Sequence, residues 1–333
     1  MHAGRVVAQP EIDAPRFVTD DSSRAQVEEA IVPWTWEAKM QARVVVAAVS
    51  IALVVAIVVP VGLMYRRVHP ARVALDDDPG RHDIAYETVS FASPLDGAPL
   101  AGWYMASPRS TGRAIVIAPG VDNNRLVSGI ALRLTPGLLA AGFYVLTFDL
   151  RGEGESGGDP IAFGAREQWD VLGAVHEVQA RGASRVGVLG FSLGAVSAIL
   201  AAARSPDIVA VVADSSFADL TETLRRELEG RDHLPGPLAD YGLALYRLMS
   251  GTEPDDVSPE RSIGAIAPRP LLIIHGMDDQ TVPVSDSERL LIAAGGPTAA
   301  RWLVPGGRHA ESYYADPSAY QSRVTSFFAA AMP

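Results

Sequence analysis

The sequence predicts an α/β protein: a mostly parallel, doubly wound sheet with an antiparallel N-terminal hairpin and a helical lid insertion, preceded by a single transmembrane helix. Three observations predict it. From residue 87 onward, short apolar runs alternate with helix-length segments, the pattern of a sheet covered on both faces. Gly190-Phe191-Ser192-Leu193-Gly194 stands between one such run and an Ala-rich helical segment, where a strand must turn sharply into a helix. Residues 44–65 run without a charge between Arg43 and Arg66-Arg67.

In chain order, residues 1–42 mix Pro, Asp, Glu, Ser and Arg without a sustained apolar period, so a polar, mobile tail is expected, with a short helix near 24–30. A transmembrane helix is expected over 43–66. The apolar stretch would measure about 33 Å as a helix, against a hydrocarbon core of about 30 Å. It starts too far from Met1 and runs too long for a signal peptide, and no small-residue cleavage site precedes Arg66. Pro60 and Gly62 are tolerable in such a helix. Lys39 and Arg43 before the span, against Arg66, Arg67 and Arg72 after it, tilt the prediction slightly towards a cytoplasmic catalytic domain. Residues 67–86 read as a juxtamembrane linker, and 87–333 as the folded domain.

In that domain, 87–92 and 100–105 flank Ser93-Pro94-Leu95-Asp96-Gly97 and read as an antiparallel hairpin. Further strands are expected at 114–118, 144–148, 185–189, 208–213, 270–274 and 301–304. Helices are expected at 130–141, 166–181, 193–203, 284–294 and 320–330. The exception to the alternation is 217–258. There Leu220, Leu224 and Leu228 recur at helical spacing, Pro235-Gly236-Pro237 breaks the pattern, and Leu238, Tyr241, Leu245 and Leu248 start a second stripe. Two helices inserted between strands can cap a pocket as a lid.

Composition removes several function classes. A net charge of −11 opposes nucleic-acid binding, which needs basic patches. The single lysine, Lys39, lies outside the folded domain, and without cysteine there is no disulfide, thiolate metal site or cysteine nucleophile. No His-Glu-x-x-His or clustered His/Asp pattern indicates a metal. Gly152-x-Gly154-x-x-Gly157 mimics a dinucleotide fingerprint, but Asp159-Pro160 interrupts before a helix could open onto a pyrophosphate. No cofactor is therefore expected.

What remains is acyl chemistry at Ser192. Flanking glycines permit a tight turn that lifts the hydroxyl from the sheet top and aims the first helical amides, Leu193 first, at the same space. A serine needs a base, and the base an acid to hold it. Of seven histidines, His2 is in the tail, His69 and His82 are juxtamembrane, His176 is on a helix and His233 is in the insertion. His275 ends a strand and reads as structural. His309, in the loop Gly306-Gly307-Arg308-His309 after the last strand, can swing over the sheet top. Asp214, Asp278 and Asp279 each follow a strand, and spacing alone leaves all three open as the acid.

The order Ser, Asp, His after successive strands resembles the α/β-hydrolase superfamily, particularly its bacterial and membrane-anchored ABHD-like serine hydrolases. The resemblance covers roughly residues 87–330. It rests on the Ser192 pentapeptide, on Asp149-Leu-Arg-Gly152-Glu-Gly154-Glu-Ser156, on His275-Gly276-Met-Asp-Asp279-Gln-Thr-Val282-Pro283 and on Gly306-Gly-Arg-His309. It implies an α/β-hydrolase fold, a Ser192–His309–Asp279 triad, and an oxyanion hole from the amides of Leu193 and Val121, the latter in a Pro119-Gly120-Val121 loop where such enzymes often carry His-Gly. The implied activity is hydrolysis of small-molecule or lipid-like carboxylic esters through an acyl-enzyme. Amide or thioester hydrolysis with the same triad, and a noncatalytic binding scaffold, are the alternatives. Peptidase activity is less favoured, because no propeller-like domain restricts access.

Overall fold

The computed structural model describes residues 34–109 and 112–333. The tail expected over 1–42 lies outside the described residues as far as residue 33, and so does its short helix at 24–30. The first element, α1 (Trp36–Val68), extends the expected apolar helix at both ends. It is continuous through Pro60 and is long and apolar enough to cross a membrane. A 3₁₀ turn at Pro79–His82, capped by the Asp78 carboxylate accepting the Arg81 amide, occupies the segment read as a linker.

The alternation expected from residue 87 is present throughout. In order come β1 (Glu87–Ala92), β2 (Pro99–Met105), β3 (Arg113–Ala118), α2 (Ile130–Ala140), β4 (Phe143–Phe148), α3 (Glu167–Ala180), β5 (Arg185–Phe191), α4 (Leu193–Arg204) and β6 (Ile208–Asp214). The insertion follows: α5 (Leu220–Arg226), a π-helical turn (Glu227–Arg231) and α6 (Gly236–Ser250). The chain then forms the short α7 (Pro259–Ser262), β7 (Leu271–Gly276), α8 (Val284–Ala294), β8 (Ala299–Val304), the short α9 (Ser312–Ala315) and α10 (Pro317–Ala331).

The eight strands form one sheet in the order β1-β2-β4-β3-β5-β6-β7-β8. β1 and β2 pair as the expected hairpin and β2 runs antiparallel to β4, while every later pairing is parallel. Helices cover both faces, so strand residues contribute alternately to two cores. In β3, Ala114, Val116 and Ala118 face the core that contains α3 and α4 residues. Ile115 and Ile117 face the other, with residues of α2 and α10. This double burial explains why the parallel strands read as continuous apolar runs.

A third cluster lies under the insertion. Leu220, Leu224 and Leu228 are buried there as their spacing predicts. The second stripe is rotated in part from the one read in the sequence: Leu245 is buried as expected and Tyr241 packs against the cluster, but Leu248 is 77% exposed, and α6 also buries Ala239, Gly242 and Tyr246. Gly242 explains the rotation, since a Cβ there would meet Leu228 Cδ1 at 2.8 Å. The small-residue face lets the two helical segments close together, and burial follows that approach rather than leucine count.

Candidate active site

The site is built from four strand ends. β5 runs into α4 through Ser192, whose backbone is forced to φ 50° and ψ −113°. A Cβ on Gly190 would collide with the Gly194 backbone, and one on Gly194 with the carbonyls of Ala118 and Pro119. Only glycine fits at either place, and the strain falls on the serine between them.

His309 reaches the same point from the loop after β8. Its Nε2 lies 2.8 Å from Ser192 Oγ and its Nδ1 2.8 Å from Asp279 Oδ2. The carboxylate can only accept, so Nδ1 carries the proton and Nε2 is left to accept from the serine hydroxyl. Ser192 and His309 are partly open to solvent, while Asp279 is buried.

Asp279 is fully engaged. Its Oδ1 accepts the amides of Thr281 (2.8 Å) and Val282 (2.9 Å), and its Oδ2 is also 3.3 Å from Nε2 of the buried His275. Burial pushes the carboxyl up, but the bonds from His275 and His309, with the Val282 amide, outweigh it and hold it well below the usual carboxylate range. The other acids open on spacing stand elsewhere. Asp278 is exposed. Asp214 is buried and accepts the hydroxyls of Ser215 (2.9 Å), Ser312 (3.2 Å) and Tyr320 (2.9 Å); burial raises its carboxyl to about 6 despite those bonds. Through Ser215 Oγ, which accepts the Ala310 amide at 3.0 Å, Asp214 steadies the loop that carries His309.

The loop after β3 lies against the serine: a Cβ on Gly120 would meet Ser192 Cβ at 3.2 Å. Val121 and Leu193 both line the cleft with Ser192. Leu193 begins α4 and has no helical carbonyl to bond. Among the described residues no backbone carbonyl takes the Val121 amide. Backbone N–H groups placed beside a serine hydroxyl can stabilise a developing oxyanion.

Sequence reasoning missed what holds that loop. The turn after β4 spells Asp-Leu-Arg-Gly-Glu-Gly-Glu-Ser, and its polar side chains fasten different neighbours. Asp149 accepts the Arg125 amide (2.6 Å) and its guanidinium (2.5 Å). Arg151, fully buried, donates to Asp170 of α3 and to Asp96 and Ser93 of the hairpin turn. Glu153 accepts the amides of Asp122 (2.9 Å) and Asn123 (2.8 Å), one on each oxygen. Burial raises the Glu153 carboxyl to about 8, with the two amides opposing and the nearby Asp122 and Asp149 adding to the rise. The two extra acids in the turn were the only signal of this role.

Val121, Ser192, Leu193 and His309 border a cleft of about 680 Å³. Its walls also include Phe163, Phe217 of the insertion segment and, from the end of α1, Leu63, Arg66 and Arg67. Arg67 donates to Glu227 Oε2 (3.3 Å) and to Asp232 Oδ2 (2.5 Å), on and just after the π-helical turn. Among the described residues no cluster of His, Asp and Glu is arranged to hold a metal.

The family model for the X-Pro dipeptidyl-peptidase (S15 family) matches residues 34–230. The uncharacterized protein YqkD of Bacillus subtilis (strain 168) is 34% identical over 250 residues, covering 72% of this chain and 79% of that protein. The uncharacterized protein Rv2307c of Mycobacterium tuberculosis (strain ATCC 25618 / H37Rv) is 32% identical over 237 residues, 69% of this chain and 73% of its own. Among solved structures, the esterase Pf2001 of Pyrococcus furiosus superposes with a TM-score of 0.65 at 26% identity, covering 78% of this chain and 97% of its own. The chain belongs to the X-Pro dipeptidyl-peptidase (S15) family, with the fold of the α/β hydrolases and a hydrolase architecture shared with esterases.

Proposed function

We propose that the protein is a serine hydrolase that cleaves carboxylic esters through an acyl-enzyme, held at a membrane as a single-pass protein by α1. The observation that carries the reading is His309, bonded at one nitrogen to Ser192 and at the other to Asp279. Ser192 Oγ attacks the ester carbonyl as His309 Nε2 takes its proton, and Asp279 stabilises the imidazolium. The oxyanion accepts the Val121 and Leu193 amides. The alcohol leaves with the proton from His309, and water attacks the acyl-Ser192 by the same route in reverse.

The family match supports a second reading, amide cleavage, since the same steps serve a peptide bond. A fluorophosphonate titration of the detergent-solubilised full chain, beside Ser192→Ala, tests the nucleophile. Stoichiometric labelling lost in the variant is expected, and no labelling of folded protein would overturn the reading in favour of a noncatalytic scaffold. Rates on p-nitrophenyl esters against an Xaa-Pro p-nitroanilide then decide the bond, with the esters expected to turn over faster.

A further inference from the structure

The last turns of α1 and the residues just after them are packed into the fold. Met64 and Val68 are fully buried in the cluster that contains Leu220, Leu224, Leu228 and Tyr246. The Val68 carbonyl accepts the Ile161 amide at 2.9 Å, and Arg72 donates to the Gly154 carbonyl at 3.1 Å, beside the turn that carries Glu153. Arg67, only 15% exposed, is clamped between Glu227 and Asp232. A flexible tether makes no such set of contacts. On the same turns, Leu63 lines the cleft that holds Ser192 and His309, as do Phe163 and Phe217. A cleft of about 680 Å³ is far larger than an acetyl group needs and falls in the range that holds a drug-sized ligand.

We propose that the last turns of α1 are a wall of the substrate site, with Leu63 packing against the apolar acyl chain and so setting which chain lengths are accepted. The substrate class is then an ester with an extended apolar acyl chain, bound between helix α1 and the insertion. This rests on the serine-hydrolase reading for its chemistry, but chain binding at Leu63 is separable from catalysis. Leu63→Trp narrows the cleft at the wall that α1 supplies.

The test uses the full chain in detergent and two readouts. In Ser192→Ala, which lacks the nucleophile, binding of a dansylated undecanoate is compared with that of Ser192→Ala/Leu63→Trp. The second variant is expected to bind about 10-fold more weakly, the scale of one or two methylene groups losing their pocket. In the Ser192 protein, Leu63→Trp is expected to lower kcat/KM for p-nitrophenyl decanoate about 10-fold relative to the acetate. Ile51→Trp, at a 64% exposed position in the apolar stretch of the same helix, controls for detergent and helix effects and is expected to leave the ratio within twofold. Unchanged undecanoate binding in the Leu63 variant would overturn the inference whatever the labelling result. Failure of the Ser192 protein to react with fluorophosphonate, with chain binding still dependent on Leu63, would overturn the hydrolase reading alone. Should Leu63→Trp fold poorly, Leu63→Ala carries the test with the opposite sign, favouring bulkier chains; an unchanged profile there overturns the inference equally.

Discussion

Ser192→Ala is expected to reduce ester turnover by about 10⁴-fold or more, and Asp279→Asn by about 10⁴-fold, because an amide at 279 favours the wrong imidazole tautomer. Both are read as kcat on a short p-nitrophenyl ester, with circular dichroism confirming the fold. Glu153 gives a prediction in pH. Its folded carboxyl titrates near 8, against about 4.3 in an unfolded chain. Between those values the folded state holds a proton that the unfolded state has lost, so this group makes stability fall as pH rises through the window. Glu153→Gln is expected to flatten that slope, measured as urea midpoints at pH 5.5 and 8. The same variant replaces one acceptor by a donor facing an amide, so kcat should drop about 10-fold or more with little change in KM as the Val121 loop shifts. The residue scale also shows where sequence reading stopped. Asp279 could not be told from Asp278 by spacing, since neighbouring residues share a loop. What separates them is that Oδ1 of Asp279 accepts two amides just downstream, which turns its other oxygen towards His309. Glu153 was hidden because its partners are backbone amides 30 residues upstream, which carry no side-chain signature.

At the scale of elements, strands and helices were legible because double burial writes apolar runs and helical stripes into the sequence. The packed face of α6 was legible only at Leu245, since a close helix approach selects small residues that a hydrophobic stripe does not register. The end of α1 was read as flanking charge and linker, because an arginine after an apolar stretch has the same spelling whether it meets water or two carboxylates. Arg67→Ala removes the partner of Glu227 and Asp232, both partly buried. A loss of about 1–2 kcal/mol is expected, felt at the π-helical turn rather than globally. Hydrogen exchange of residues 227–234 should quicken while β5 and β6 keep their protection. Equal protection in the variant would mean that the pair adds nothing to the insertion.

Over the whole molecule, the absence of cysteine makes orientation directly measurable. Ser318→Cys, on an exposed position of α10, introduces a single thiol. If α1 is a single-pass anchor with the domain in the cytoplasm, a membrane-impermeant maleimide should label that thiol only after cell lysis. Labelling of intact cells would place the domain on the other side.

The strained turn at Ser192 also bears on when the chain becomes reactive during its manufacture. At Gly194 the turn lies so close to the carbonyls of Ala118 and Pro119 that a Cβ would not fit, and Ala118 pairs with Gly190. Those partners are separated by some seventy residues of chain, and the histidine arrives last, near the C-terminus. If Ser192 is the proposed nucleophile, a nascent polypeptide carries it as an ordinary serine until strands made early and late have found each other. On the proposed reading, the order of synthesis itself times the appearance of the nucleophile.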